Sequence, residues 1–125
     1  MEVLVTVESK IINYLFVYGT LKKSKPYNYL LKKAKFISEA TTLEKYALYF
    51  DNIPYLYKKD SISQIHGEVY QVDEDLLKEI DTFEDHPEYY KRELTEIKLP
   101  TGEIIKAWVY FFPEKKGTLI SSGRY

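Results

Sequence analysis

The chain reads Tyr14-Leu15-Phe16-Val17-Tyr18-Gly19-Thr20-Leu21 in its first part, a continuous apolar run that meets a glycine. A short apolar run that ends in a turn signal is typical of a strand buried on both faces. Gly19 permits a close approach of the backbone, and successive N–H groups in such a turn can form an anion-binding concavity. The alternative interpretation of the same residues is a tight turn without a ligand.

Four further segments have the composition of strands. Residues 46–50, 66–72, 94–99 and 104–112 are rich in aromatic and β-branched side chains. Thr101-Gly102 lies between the last two segments and predicts that they form a hairpin. Strands therefore dominate the predicted secondary structure.

Two segments have a helical pattern, and the first follows Ser24-Lys25-Pro26. Serine caps helix N-termini, and proline suits the first helical turn. Leu30, Leu31 and Ala34 then recur at helical spacing. The pattern predicts a helix soon after the Gly19 turn.

The second helical segment begins at Asp73-Glu74-Asp75, three acids that favour a helix N-terminus. It should stop by His86, because the residue before a proline, here Pro87, is pushed out of the helical region. With strands outnumbering helices, we expect one antiparallel, barrel-like α+β domain over residues 1–125. Residues 1–13 are interpreted as a possible extra N-terminal strand or as a disordered segment.

The second helical segment carries an acid where a core residue is expected. Leu76, Ile80 and Glu84 lie at i, i+4 and i+8, so the apolar stripe reaches Glu84 when it is extended by one turn. A carboxylate at such a position is costly unless it is paired, neutral or open to a pocket. Burial would raise its pKa and suit it to proton transfer near neutral pH. The alternative is that the helix has already ended at Phe83, and that Glu84 caps a turn or pairs with Lys91 or Arg92.

Charge and composition exclude several classes of function. The 18 basic and 19 acidic side chains nearly cancel, which argues against nucleic acid as the main partner. The densest basic run, Lys22-Lys23-Ser24-Lys25 with Lys32-Lys33 and Lys35, is interpreted as a solvated face rather than as a phosphate track. The chain contains no cysteine, which excludes disulfides, thiolate metal sites and a cysteine nucleophile.

The sequence also lacks signals for membranes, metals and cofactors. No apolar stretch is long enough to span a bilayer, and the N-terminal residues do not have the pattern of a signal peptide, so we expect a cytoplasmic protein without a membrane partner. His66 and His86 do not have a recognisable metal-site spacing. They are interpreted as a strand residue and a loop residue. No glycine-rich nucleotide loop is present, and we expect neither a metal nor a cofactor.

Short motifs follow one another along the chain in a fixed order. Those in the first part are Leu15-Phe16-Val17-Tyr18-Gly19-Thr20-Leu21, Asn28-Tyr29-Leu30-Leu31, Asn52-Ile53-Pro54-Tyr55-Leu56 and Gly67-Glu68-Val69-Tyr70. Those in the second part are Ile80-Asp81-Thr82-Phe83-Glu84 with Pro87, then Tyr90-Lys91-Arg92, Val109-Tyr110 and Ser122-Gly123-Arg124-Tyr125. In order and spacing, this set resembles the γ-glutamylcyclotransferase-like superfamily, and most closely its γ-glutamylamine cyclotransferase (AIG2-like) branch. The likeness covers residues 14–125.

The resemblance implies a fold, an activity and a set of site residues. The fold would be a compact mixed, mainly antiparallel β-barrel with a few flanking helices. The activity would be a cofactor-independent cyclisation of a small-molecule γ-glutamyl amine or isopeptide to 5-oxoproline, with release of the free amine. Glu84 would be the acid/base, and the loop of Tyr18, Gly19, Thr20 and Leu21 would cradle the substrate. The identity of the amine and the oligomeric state stay open.

This chemistry suits the available residues. A γ-glutamyl amide carries its own nucleophile, the α-amine, so no serine or cysteine nucleophile is needed, and holding the substrate folded captures a large effective molarity. One carboxylate can serve as base and then as acid. The N–H groups of residues 19–21 would bind either the α-carboxylate or the oxyanion. The main alternative function is non-catalytic binding of a glutamyl-like metabolite, and a nucleic-acid or protein interaction module is a third.

Several neighbouring side chains have more than one interpretation. Tyr90 and Tyr110, with Tyr18, are candidates for the pocket wall, although core packing suits most tyrosines equally well. Asp81 either carries a proton-linked partner or forms a local turn bond. For Arg92, a structural ion pair is favoured over a contact with substrate.

Overall fold

The computed structural model describes residues 12–125 of the chain. Within this range seven strands, one α-helix and one 3₁₀ helix follow one another. Their bounds, in chain order, are β1 Asn13–Val17, the 3₁₀ helix Asn28–Leu31, β2 Lys35–Asp51, β3 Ile53–Tyr57, β4 Ser63–Val72, α1 Glu74–Phe83, β5 Lys91–Lys98, β6 Ile104–Phe111 and β7 Thr118–Leu119.

Five of the strands close into a barrel in the order β2-β4-β1-β6-β5. The closing pair is β2 with β5, where Thr41 lies opposite Lys98 and Thr42 opposite Ile97. β1 and β6 run parallel, and the other neighbours run antiparallel. The predicted fold class, a mixed and mainly antiparallel β-barrel with flanking helical segments, is therefore confirmed.

The apolar run of β1 is explained by burial on both of its faces. Phe16 belongs to a cluster with members from all five barrel strands, which is the barrel interior. Leu15 and Val17 belong to a second cluster that also contains the apolar face of α1. Because successive strand residues point to opposite faces, a strand placed between two cores must be apolar throughout. This placement delivers Tyr18 and Gly19 to the end of the barrel.

Helix α1 covers the second core and ends at the predicted place. Its N-cap is Asp73, whose carboxylate accepts a hydrogen bond of 2.8 Å from the N–H of Leu76. Leu76, Leu77 and Ile80 form its buried face. The helix gives way at Glu84, which keeps a right-handed conformation as the C-cap residue.

The first predicted helix is corrected to a single 3₁₀ turn, Asn28–Leu31. Ser24 does not cap it, because Ser24 lies at φ 66° and belongs to the preceding turn. The backbone N–H of Tyr27 donates instead to the carbonyl of Thr20, which folds the segment back on the Gly19 turn. β2 then starts at Lys35. The chain therefore enters strand β2 before a second helical turn can form.

The predicted strands are confirmed, but three strand segments were not predicted. β2 starts well before residue 46, in a stretch of mixed polarity that turn and alternation signals do not mark. β3 contains Pro54, which argues against a central strand but is tolerated because β3 pairs only with β2. β7 is two residues long. The hairpin turn around Thr101 and Gly102 is present, with Gly102 at φ 92°.

The prediction for residues 1–13 lies almost entirely outside the described residues, and Asn13 is the first residue of β1. Within residues 12–125, no helix has the length and apolar character that crossing a bilayer requires.

Candidate active site

The candidate site is a pocket of about 440 Å³ at the end of the barrel. Five parts of the chain meet there: the end of β1 with the loop after it, the beginning of β3, the end of α1, the residues before β5, and β6. The pocket is lined by every site residue predicted from the sequence, namely Tyr18, Gly19, Thr20, Leu21, Glu84, Tyr90 and Tyr110.

Glu84 lies in the wall of this pocket and has no counter-charge. Its backbone N–H closes the last turn of α1 on the carbonyl of Ile80 at 2.8 Å, so its position is set by the helix. No side chain of residues 12–125 donates a hydrogen bond to its carboxylate or pairs with it. Burial raises the pKa of Glu84 to about 7. The helix does end at Phe83, as the alternative for Glu84 stated, but the pairing of Glu84 with Lys91 or Arg92 is wrong.

Arg92 is held by Asp81 rather than by Glu84. The guanidinium of Arg92 donates from Nε to Asp81 Oδ1 at 2.7 Å and from Nη2 to Oδ2 at 3.2 Å, while its plane lies over the ring of Trp108. Tyr110 adds a third donor to Asp81, at 2.6 Å. Burial alone would raise the pKa of Asp81, but these hydrogen bonds outweigh it and hold the pKa below its usual value.

Two carboxylates one helical turn apart are thus placed in opposite environments. Asp81 is ionised and fully engaged, whereas Glu84 is partly buried, finds no partner among residues 12–125 and has its pKa raised to about 7. Separated pKa values of this kind distinguish a structural acid from an acid that can transfer protons. The structural pairing favoured for Arg92 is observed, and Asp81 is bound by Arg92 and Tyr110 instead of by a local turn.

The loop after β1 presents unused backbone donors. Among the described residues, the N–H groups of Gly19, Thr20 and Leu21 donate to no protein acceptor. The carbonyl of Gly19 accepts from the N–H of Lys22 at 3.0 Å, which tightens the turn. A Cβ atom at residue 19 would lie 2.9 Å from Cγ of Pro54, closer than such atoms approach. Glycine is therefore required for the loop to rest against β3.

Polar side chains behind the loop fix its shape. Asn28 Nδ2 donates to the carbonyl of Leu21 at 2.8 Å and to the hydroxyl of Tyr70 at 3.1 Å. Tyr70 donates in turn to Glu68, which also accepts from the N–H of Lys23 at 2.9 Å. Because each of these groups is satisfied within the protein, the loop is held before any ligand arrives.

The predicted tyrosines belong to the pocket wall and to the core at once. Tyr18 donates to the carbonyl of Tyr110 at 2.6 Å, and Tyr90 donates to the carbonyl of Pro54 at 3.0 Å. All three tyrosines are buried. Burial, reinforced by the charge of Glu84, raises the pKa of each hydroxyl, so all three stay neutral at physiological pH.

The rim of the pocket contains residues that the sequence alone did not single out. Tyr27 and Phe83 face each other with ring centroids 4.9 Å apart, and exposed Asp85 and Tyr89 complete this edge. Lys116 donates to the hydroxyl of Tyr89 at 3.2 Å. In the sequence, the only sign that Phe83 and Asp85 belong to the pocket rim was their position next to Glu84. In residues 12–125 no group of three or more metal-ligating side chains comes together.

Comparison with known sequences identifies related proteins. The family profile described as "Gamma-glutamyl cyclotransferase, AIG2-like" matches residues 15–125. A protein from Methanocaldococcus jannaschii that carries the gamma-glutamylcyclotransferase name provisionally is 49% identical over 118 residues, which are 91% of this chain and 96% of that protein. Gamma-glutamylaminecyclotransferase B from Danio rerio is 38% identical over 109 residues, 77% of this chain and 57% of that protein.

Solved structures show the same fold. An uncharacterized protein from Pyrococcus horikoshii superposes with a TM-score of 0.71 at 34% identity, over 90% of this chain and 88% of the other. An AIG2-like protein from Mus musculus superposes with a TM-score of 0.72 at 32% identity, over 80% of this chain and 76% of the other.

Proposed function

Because the chain belongs to the AIG2-like gamma-glutamyl cyclotransferase family, we propose that it cyclises a γ-glutamyl amine or isopeptide to 5-oxoproline and releases the free amine. Glu84 is the general acid/base of this reaction, and no cofactor takes part. The loop of Tyr18, Gly19, Thr20 and Leu21 binds the glutamyl unit.

One observation carries the proposal: a carboxylate with a pKa of about 7 shares a pocket with three backbone N–H groups, and none of these groups has a hydrogen-bond partner among residues 12–125. Protein folding alone does not favour this arrangement, since a partly buried, unpaired acid and unsatisfied N–H groups both cost free energy. Groups that are destabilising in the empty protein gain partners when a zwitterionic glutamyl substrate binds. Perturbed acids in clefts are enriched at functional sites for this reason.

The reaction needs only an acid/base and donors for a negative oxygen. The α-ammonium of the substrate gives a proton to Glu84, and the α-nitrogen then attacks the γ-carbonyl carbon, forming the C–N bond of the lactam. Glu84 returns the proton to the departing nitrogen as the original amide C–N bond breaks. A second proton leaves the attacking nitrogen through the same carboxylate and protonates the released amine, so the lactam keeps one N–H, the amine leaves as an ammonium and Glu84 ends ionised without an added reactant.

The remaining pocket residues bind and orient. The N–H groups of residues 19–21 take an anionic oxygen of the glutamyl unit, the α-carboxylate or the developing oxyanion. Tyr18, Tyr90 and Tyr110 wall the pocket as neutral groups whose own hydroxyls are engaged by protein acceptors. They do not compete with Glu84 for the proton, because burial keeps their pKa values high.

A panel of γ-glutamyl compounds tests the proposal. The purified protein is mixed with γ-glutamyl-ε-lysine, γ-glutamyl derivatives of simple alkylamines and γ-glutamyl-α-amino acids, and 5-oxoproline is measured by mass spectrometry. We expect at least one class to yield equal amounts of 5-oxoproline and free amine. Saturable binding without product would favour the alternative function, non-catalytic binding of a glutamyl-like metabolite on the same fold.

The pKa of Glu84 predicts the acid limb of the pH profile. The carboxylate accepts a proton only when it is ionised, and its raised pKa of about 7 leaves it mostly protonated below that pH. We therefore expect kcat/KM to rise about tenfold per pH unit up to pH 7 and then to level off. Initial rates at low substrate concentration between pH 5 and 8 give this profile. A profile that stays flat over this range would exclude Glu84 as the base.

A further inference from the structure

A second pocket, of about 360 Å³, lies apart from the Glu84 pocket and shares no lining residue with it. We call it the Arg124 pocket. Its walls come from β2, from β4, from the β5–β6 turn and from two residues outside the sheet, Lys22 and Arg124. Four side chains that line it are basic, namely Lys22, His66, Lys98 and Arg124. Two are acidic, namely Glu39 and Glu68.

Three of the basic side chains, those of Arg124, His66 and Lys22, carry hydrogen-bond donors. Arg124 Nη2 lies 3.1 Å from Nδ1 of His66. A guanidinium can only donate, so Nδ1 is the acceptor and neutral His66 carries its proton on Nε2. Lys22 Nζ donates to the main-chain oxygen of Tyr125, the last residue of the sequence, at 2.6 Å and keeps two further N–H groups. A ligand that meets these groups must therefore offer acceptors.

Within residues 12–125, neither Lys22 nor Arg124 forms an ion pair with the side-chain carboxylate of an aspartate or a glutamate. Glu68, the nearest buried acid in the pocket, is already used by the N–H of Lys23 and the hydroxyl of Tyr70. Burial and the adjacent cations lower the pKa values of both Lys22 and His66. Lys22 is buried, which corrects the interpretation of its basic run as an entirely solvated face.

The segment that carries Arg124 is fixed against the barrel. The N–H of His66 donates to the carbonyl of Gly123 at 2.9 Å, and the N–H of Ile120 donates to the carbonyl of Leu48 at 2.7 Å. Gly123 lies at φ 71°, and a Cβ atom there would approach the carbonyl oxygen of Gln64 to 2.2 Å. Only glycine brings the chain this close to β4, so Arg124 is positioned before a ligand binds.

We propose that the Arg124 pocket is a binding site for an oxyanion, the phosphate or carboxylate group of a small metabolite, held by Arg124, Lys22 and His66. The guanidinium supplies a planar fork of donors, and Lys22 supplies a point charge. An oxyanion at this place pairs with the guanidinium of Arg124, which forms no ion pair with a side-chain carboxylate of residues 12–125. The site is independent of Glu84 and of the proposed reaction.

Nuclear magnetic resonance of the imidazoles tests the proposal, because the chain has only two histidines. The protein is titrated with inorganic phosphate and, in a separate arm, with acetate, each compared with sodium chloride at equal ionic strength. We expect a saturable shift of the His66 resonances and a rise of its pKa by about one unit, since a nearby opposite charge favours the protonated ring. The arm that saturates at the lower concentration identifies phosphate or carboxylate as the preferred group.

Three variants separate this site from the Glu84 pocket. Arg124→Gln changes an exposed side chain and is expected to weaken phosphate or acetate binding about tenfold or more. Lys106→Gln, an exposed lysine outside both pockets, and Glu84→Gln are expected to leave binding unchanged. If Arg124→Gln does not fold, Lys22→Met provides the same test.

Three results would overturn the proposal. The first is a response of His66 that does not saturate or that equals the response to chloride. The second is unchanged affinity in Arg124→Gln, or in Lys22→Met if that variant is used. The third is a saturable shift at His86 with none at His66, which would place the anion beside the Glu84 pocket.

Discussion

Replacing Glu84 by glutamine is expected to lower kcat for 5-oxoproline release by about 10²–10⁴-fold, the usual contribution of a general acid/base. Glutamine keeps the size of the side chain and fills the same wall of the pocket, so KM should change little. The loss arises because both proton transfers, from the α-ammonium and to the leaving nitrogen, pass through one carboxylate. Steady-state kinetics on the best substrate of the panel measure the effect.

Glu79→Gln is the matched control for Glu84→Gln. It makes the same chemical change on the exposed face of the same helix, outside the pocket, and should leave kcat and KM at wild-type values. If Glu84→Gln retained wild-type turnover, the assignment of Glu84 would be wrong. Equal losses in the two variants would point to a general effect on α1 instead.

The stability of Glu84→Gln shows whether a lost activity reflects lost fold. The pKa of Glu84 is raised from an ordinary 4.5 to about 7, so between these pH values the native protein binds more protons than the unfolded chain. The wild-type free energy of unfolding therefore falls as pH rises through this window, by at most about 3 kcal/mol. Glutamine does not ionise, and the variant should match the wild type near pH 4.5 and melt several degrees higher at pH 8.

Gly19→Ala is expected to lower kcat/KM by about 10²-fold. The new Cβ atom would lie 2.9 Å from Pro54, which is buried in β3, so the loop must withdraw and carry its N–H groups away from the substrate. A displacement of about 1 Å in a positioned group costs this much activity. A loss confined to KM would assign the donors to the α-carboxylate, and a loss confined to kcat would assign them to the oxyanion.

The double variant Gly19→Ala/Pro54→Ala identifies the cause of the loss. It removes the Cγ atom that the new methyl group meets, and activity should recover in part relative to Gly19→Ala. If the double variant loses less kcat/KM than the product of the losses in the two single variants, the contact couples the two positions. Unchanged kcat/KM in Gly19→Ala itself would contradict the proposed role of the loop.

Local patterns predicted a large part of this fold. The apolar run of β1 and the capped, one-sided helix α1 are encoded in neighbouring residues, because strand and helix periods are short. The same helical period predicted that Glu84 lies on the inward-facing stripe of α1. The segment of the 3₁₀ turn was predicted as a longer helix because propensity and capping depend only on neighbouring residues. They do not show that the residues from Lys35 onward form a β-strand instead.

The sequence by itself determined which elements form and which acid lies on the buried side of α1, since these depend on residues within one or two turns of each other. Only the tertiary structure decided that Arg92 binds Asp81 and leaves Glu84 unpaired among residues 12–125, and that Glu84 lines the same pocket as the loop after β1. It also brought Lys22, His66 and Arg124 into one pocket. The physical reason is that side chains far apart in the sequence can form ion pairs and hydrogen bonds only after the barrel has closed. Each charged group then pairs with the oppositely charged group that lies nearest in the closed barrel.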